Sequence, residues 1–199
     1  MRKRAFAALY NRVAPRTTEA SRRYRERLIA DLEGRVLEIG CGPGNNFGFY
    51  PASVELTAID YNEHMLRRAR LAAADAAASI TVEQADVHAL PFGDNSFDAV
   101  VSTLVLCSVD QQQALGEIRR VLRSGGTLRL WEHVRSDRTL PAVIQRVASP
   151  LWSLVADGCH MDRDTARAVQ EAGFELELSE RVGQGLPHLL MVAHLPAEG

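Results

Sequence analysis

At 199 residues the chain has the length of one domain, and with 46% hydrophobic residues it can bury a sizeable core. A formal charge of −2 and a pI near 6.3 argue against a nucleic-acid binder that works through a broad basic face. No run reaches the ~18 apolar residues of a spanning helix, and Cys41, Cys107 and Cys159 suggest no disulfide framework, so a reducing, cytoplasmic setting is expected.

The basic residues crowd the start: Arg2, Lys3, Arg4, Arg12, Arg16, Arg22, Arg23, Arg25, Arg27 and Arg35. That density reads as a solvated helix face, or as a weak surface contact with an anionic membrane or polyanion. Residues 1–34 are expected to form a helical arm or lid, with Tyr24, Leu28 and Leu32 as its packing face. Tyr10 and Arg16 lie where the arm would close over a site.

Strands and helices then alternate. Arg35–Ile39 predicts a strand that runs into Gly40-Cys41-Gly42-Pro43-Gly44, a turn expected to open a helix. Val54–Ile59 is the second strand, ending at Asp60, and Glu63–Asp75 the next helix, with Met65, Leu66, Ala69 and Ala73 on one side. Ile80–Ala85 and Asp98–Ser102 follow as strands, separated by the turn-rich Leu90–Ser96. Asp110 and Gln113 form an N-cap and N3 pair for a helix that carries Leu115, Ile118, Val121 and Leu122 inward and stops at Gly125-Gly126. Thr127–Trp131 is the fifth strand.

Leu140, Val143, Ile144, Val147, Leu151, Leu154 and Val155 fall near helical spacing, with Pro150 expected to kink or split the element. With Trp152 they predict a packed crossover or a pocket lid. Asp164–Ala172 is a last helix, and Phe174–Glu180 with His188–His194 an antiparallel pair. The pattern predicts an α/β fold: a doubly wound Rossmann-like sheet of about seven mostly parallel strands with an antiparallel terminal strand.

The glycine turn carries the chemistry. Glycines permit a tight turn and let a ligand approach the backbone, and an acid ~20 residues on, here Asp60, accepts from ribose hydroxyls. That acid also disfavours a 2′-phosphate. The spacing is G-x-G-x-G rather than the dinucleotide G-x-G-x-x-G. Glu38 would repel a pyrophosphate but can organise the loop around a cationic ligand, and Asp86 lies where it accepts from an adenine amine.

Val36–Gly44 (VLEIGCGPG), Asp60, Asp86 with Leu90-Pro91-Phe92, Ser96-Phe97-Asp98 and Glu117–Gly126 together resemble the class I S-adenosylmethionine-dependent methyltransferases. The resemblance implies S-adenosylmethionine as cofactor, with S-adenosylhomocysteine as product, and a methyltransferase domain over residues 35–199. It implies that Gly40, Gly42 and Gly44 line the methionine part, Asp60 holds the ribose, Tyr61 and Met65 flank the adenine, Asp86 and Val87 cap its edge, and Thr103 sits beside the sulfonium.

Asn46-Phe47, Thr103–Val109, Glu132-His133-Val134, Asp157-Gly158-Cys159 and Pro187-His188 more closely resemble the methyltransferase-like thiol S-methyltransferases. That likeness implies methylation of small alkyl thiols or hydrogen sulfide. Animal members carry an apolar N-terminal membrane segment where this chain has its basic arm, so soluble behaviour is expected, and His160 stands where asparagine is expected.

A thiol is partly ionised at neutral pH and asks little of a base, whereas a phenol or quinol asks more. His133, just after the fifth strand, is either a base or a structural histidine; Asp157 either orients it or caps a helix. Cys107 either lines the pocket or is buried and inert, and His188 suits a core or edge role better than catalysis. Cys159-His160 with Asp157 and Asp162 suit a tetrahedral metal site poorly, so no metal is expected. Other readings are O- or C-methylation of a quinone, phenol or lipid-like acceptor, a cofactor-binding protein without turnover, and an NAD-dependent oxidoreductase; the oligomeric state stays open.

Overall fold

A computed structural model describes residues 18–155, 158–183 and 187–197. In chain order the elements are α1 (Glu19–Ile29), β1 (Gly34–Ile39), β2 (Val54–Asp60), α2 (Glu63–Ala73), β3 (Ser79–Gln84), β4 (Phe97–Thr103), α3 (Gln111–Val121), β5 (Leu122–His133), α4 (Thr139–Val155), α5 (Thr165–Glu171), β6 (Glu175–Val182) and β7 (His188–His194). The seven strands form one sheet in the order β3-β2-β1-β4-β5-β7-β6. β1 to β5 pair in parallel, and β7 runs antiparallel between β5 and β6. The order reverses between β1 and β4, and in such sheets ligands bind beyond the strand carboxyl ends at that point.

Both faces of the sheet are covered. On one face Leu37, Ile39, Val100, Leu128 and Leu130 pack with Ala114, Leu115, Ile118 and Val121 of α3. On the other, Val36, Leu56, Ala58 and Val101 pack with Leu66 and Ala69 of α2 and with Leu28 and Ile29 of α1. Two-sided burial explains why the central strands read as near-continuous apolar runs. Helix α3 starts as expected: the Asp110 side chain accepts from the Gln113 N–H at 3.0 Å. The face expected of the arm is the one used here, with Leu28 of α1 and Leu32 just after it buried and Tyr24 set edge-on to Trp131 at 5.6 Å. Tyr10 and Arg16 lie outside the described residues.

Three local expectations need correction. The helix expected to open at the glycine turn is only a 3-10 turn at Phe47–Phe49. Gly48 and Pro51 disfavour a longer helix there, and Phe47 and Tyr50 turn into the core. The fifth strand begins at Leu122 rather than Thr127: α3 passes straight into it, and its pairing with β4 shifts between Phe97 and Ala99. Gly125, at φ +73, supplies the irregular backbone, and a Cβ on Gly126 would lie 2.8 Å from the Arg123 carbonyl oxygen.

The third correction concerns α4. The helix continues through Pro150, which lies on its exposed side, instead of splitting there. Its orientation is inverted: Leu140, Val143, Ile144, Val147, Leu151 and Leu154 are exposed, whereas Gln145 and Ser149 are buried. Gln145 donates to the carbonyls of Val134 and Met161 at 3.2 and 3.1 Å and accepts from the Ser136 N–H at 2.7 Å. Ser149 donates to Asp162 at 2.6 Å. Buried polar groups with good partners hold the inner face, which hydrophobic periodicity alone does not reveal.

Candidate active site

The carboxyl ends of β1, β2, β4 and β5 open into a cavity of about 570 Å³, a size typical of small-ligand sites. Gly40 and Gly42 form its floor beside Asp60. Gly42 has φ +55 and open space where a Cβ would stand, so the turn leaves a cradle for a ligand. At Gly40 a Cβ would run into the Val105 side chain. Asp60 locks the turn: one carboxylate oxygen accepts from the Gly42 N–H at 2.9 Å and the other from the Asn62 N–H at 2.8 Å. Gly44 does not line the cavity; it packs at Phe47 and Ala72, where its φ of +86 serves the turn.

Tyr61, Met65, Asp86 and Val87 line one end of the cavity. Met65 and Val87 are buried beneath it, and Tyr61 is partly exposed. Asp86 accepts from the His88 backbone N–H at 3.0 Å and sits 2.7 Å from His88 Nδ1, which orients its carboxylate at the rim. Apolar slots flanked by carboxylates fit an adenosine with a free diol and an exocyclic amine. On the residues present, this end fits S-adenosylmethionine.

Glu38 lies behind the wall, fully buried, where Asn46 and the Tyr50 hydroxyl both donate to it at 2.9 Å. Burial pushes its carboxyl up to about 7. The Asn46 amide also donates to Thr103 Oγ1 at 3.1 Å and accepts from Arg25. Thr103 is on the cavity wall, so Glu38 reaches the site through Asn46 and Thr103 rather than directly. Sequence reasoning did not assign Asn46; a buried polar residue just after a glycine turn is the signal that was there.

The other end is built from the segment after β4, the end of β5 and the stretch after α4. Thr103, Leu104, Val105, Cys107, Val109, His133, Trp152 and Cys159 converge there. Leu104 adopts φ +62, a left-handed conformation that an L side chain enters at a cost of about 1 kcal/mol. Its N–H donates to the Trp131 carbonyl at 2.8 Å. Glu132, fully buried, holds the rest of that segment: one carboxylate oxygen accepts from Ser102 Oγ and the N–H groups of Val105 and Leu106, each at 3.0 Å, and the other from the Cys107 N–H at 3.2 Å. Burial raises this carboxyl, opposed by those donors. Glu132 is a positioning residue; the sequence motif places it beside His133 but gives it no role, because the expected strand stops at Trp131 whereas β5 runs on to His133.

Cys107 and Cys159 lie with their sulfurs 3.4 Å apart, and His133 Nδ1 is 3.7 Å from Cys159. The His160 N–H, donating to the Cys107 carbonyl at 2.8 Å, pins the returning strand of chain against the first. The hydrogen bond with the Cys107 thiol, and after it the neighbouring histidine, hold Cys159 below the ordinary thiol range, while the Cys159 thiol, burial and Glu132 push Cys107 up. His188, paired with His133 across β5 and β7, stacks on it with ring centres 4.4 Å apart and does not line the cavity. Asp157 lies outside the described residues. His160 has its Nδ1 3.4 Å from Ser149 Oγ, so it sits on the Ser149 side of α4 rather than in the cavity lining.

The sheet order, the glycine cradle and the two lining carboxylates, Asp60 and Asp86, define a class I S-adenosylmethionine-dependent methyltransferase. Residues 37–130 match the methyltransferase domain family. A solved S-adenosylmethionine-dependent methyltransferase from Mesorhizobium loti shares the fold at a TM-score of 0.68 and 21% identity, over 89% of this chain and 98% of that one. Thiol S-methyltransferase TMT1B of Homo sapiens is 32% identical over 205 residues, 96% of this chain and 83% of that protein. The Rattus norvegicus TMT1B is 37% identical over 156 residues, 73% of this chain but only 64% of that protein's length. The chain belongs to the methyltransferase family that includes these TMT1 proteins.

Proposed function

We propose that this methyltransferase acts on the sulfur of a small apolar thiol or sulfide. The observation that carries the reading is the far end of the cavity, where Leu104, Val105, Val109 and Trp152 surround two sulfurs and one imidazole, with no carboxylate or fixed cation among the described lining residues there. The likeness to the TMT1 thiol S-methyltransferases supports it.

Bound S-adenosylmethionine supplies an electrophilic methyl group on a sulfonium. The chain's own part is alignment, exclusion of water and control of one proton. Gly42 and Asp60 orient the cofactor, Asp86 and Tyr61 hold its adenine end, and Thr103 stands between the two ends. The apolar wall dehydrates the acceptor, which raises the nucleophilicity of its anion. The polar corner at His133 favours that anion; a thiol ionising near ~8.5 needs only modest help, whereas a phenol near ~10 needs more. Methyl transfer then requires in-line alignment of sulfur, carbon and sulfur, which binding both molecules in one cavity provides.

The test is release of S-adenosylhomocysteine from purified protein given S-adenosylmethionine with alkyl thiols, sulfide, phenols or quinols. The expected outcome is thiol-dependent release, reduced about 10- to 100-fold in His133→Ala with S-adenosylhomocysteine affinity unchanged. Release with phenols or quinols alone would replace the thiol reading with O-methylation.

A further inference from the structure

We infer that Cys107, Cys159 and His133 form a binding site for a soft divalent cation of the zinc type, open to the cavity at its fourth position. The three ligand atoms come from three separate parts of the chain: the turn after β4, the end of β5 and the stretch following α4. The sequence holds no paired Cys-x-x-Cys or His-x-x-x-His spacing, and Cys159 with His160 on one loop suits a tetrahedral set poorly. The fold selects different partners. His160 is turned to Ser149, while Cys159 faces Cys107 and His133.

The geometry is that of a nearly assembled site. Zinc–sulfur bonds of ~2.3 Å and zinc–nitrogen bonds of ~2.0 Å at tetrahedral angles require about 3.8 Å between two sulfurs and about 3.5 Å between sulfur and nitrogen. The chain holds Cys107 Sγ to Cys159 Sγ at 3.4 Å and Cys159 Sγ to His133 Nδ1 at 3.7 Å. All three ligand atoms lie within 4.8 Å of one another, so the third edge needs only a modest closure.

The surroundings suit a ligand cluster. Glu132 anchors the Cys107 N–H, the Cys107 carbonyl is tied to the His160 N–H, and the His133 ring is stacked on His188, so the donors are held by contacts outside the cluster. Both cysteines are buried, which shields the site from bulk oxidants, yet all three residues border the cavity. Two cysteines and a histidine with one open position form a recognised donor set for catalytic zinc.

Binding would release the two thiol protons to solvent and give a neutral dithiolate centre. Resting on the proposed thiol reading, its open position would take the acceptor sulfur, and a coordinated thiol loses its proton outright, here to solvent through the open cavity. His133 would then serve as a ligand rather than as a free base.

The experiment strips the purified full-length protein with a chelator under a non-thiol reductant and titrates zinc back against a chromogenic chelator. One zinc per chain with sub-micromolar affinity is expected, weakened at least about 100-fold by Cys107→Ser or Cys159→Ser and unaffected by Cys41→Ser. Cobalt substitution should give a sulfur-to-metal charge-transfer band that Cys159→Ser abolishes. S-adenosylhomocysteine binding by each variant, read at the other end of the cavity, shows that it is folded. Folded protein that binds zinc no tighter than Cys107→Ser/Cys159→Ser overturns the site. Zinc-free protein that methylates thiols at the full rate overturns its role and leaves the thiol reading intact. Tight zinc binding without thiol turnover upholds the site and removes that reading.

Discussion

The two ends of the cavity are held in place by different physics. At the cofactor end, short-range devices dominate: a glycine turn directly after β1, an acid at the end of β2, and backbone N–H groups two to eighteen residues from the carboxylate that receives them. At the acceptor end, the contacts are long-range. Glu132 reaches back 25 to 30 residues to hold the segment after β4, and Cys159 meets Cys107 across 52 residues. The cofactor end can therefore be shared by proteins with different acceptors. The acceptor end depends on how remote pieces of the chain are brought together, and small changes there alter specificity.

The largest expected effect lies at the acceptor end. Glu132→Ala leaves three backbone N–H groups and a serine hydroxyl buried without their acceptor, and should cost about 4 kcal/mol in urea unfolding. A loss below ~1 kcal/mol would mean that the segment after β4 holds itself.

Glu38 gives a pH-dependent contrast. Its pKa is 4.5 as a reference and about 7 in the fold, so between those values the folded chain keeps a proton that the unfolded chain has released. The stability linked to this group is complete below pH 4.5 and is lost as pH rises through about 7, by about 3 kcal/mol. Glu38→Gln should flatten the difference between unfolding measured at pH 5 and at pH 8. An unchanged slope would show that Glu38 is ionised throughout.

Asp60→Ala sharpens the comparison from the other side. Removing the acceptor of the Gly42 and Asn62 N–H groups should weaken S-adenosylhomocysteine binding at least about 100-fold by calorimetry. His133→Ala should leave that affinity within about twofold. Equal losses in both variants would mean that the two ends are not separable.

The smallest effect is expected on α4. Leu151 is 72% exposed, so Leu151→Ser should change stability by less than ~0.5 kcal/mol, whereas the same helix packed by its apolar face would lose several. A large loss would contradict the inverted orientation.

That helix also shows where sequence reading stops. The cofactor end was legible because its residues sit in contiguous motifs at strand ends, where chain order and spatial order coincide; Gly40, Gly42, Asp60, Tyr61, Met65, Asp86, Val87 and Thr103 all border the cavity. Gly44 and Glu38 were legible as part of the turn but act from behind it. For α4 the apolar spacing indicated a face, and periodicity has no sign: only the partners of Gln145 and Ser149 show which side turns inward. The Cys107–Cys159–His133 cluster was illegible for a related reason, since no spacing rule joins residues from three elements. The shortened helix after the glycine turn reflects tertiary demand, with Phe47 and Tyr50 drawn into the core.

The central claim is that one cavity aligns the cofactor's methyl group with a thiol sulfur. It is tested most directly by incubating the protein with S-adenosylmethionine labelled in the methyl group and a mixture of a short alkyl thiol, a phenol and a quinol, then locating the label by mass spectrometry. The account predicts a labelled methyl thioether as the dominant product. Label found only on oxygen or carbon acceptors would contradict it.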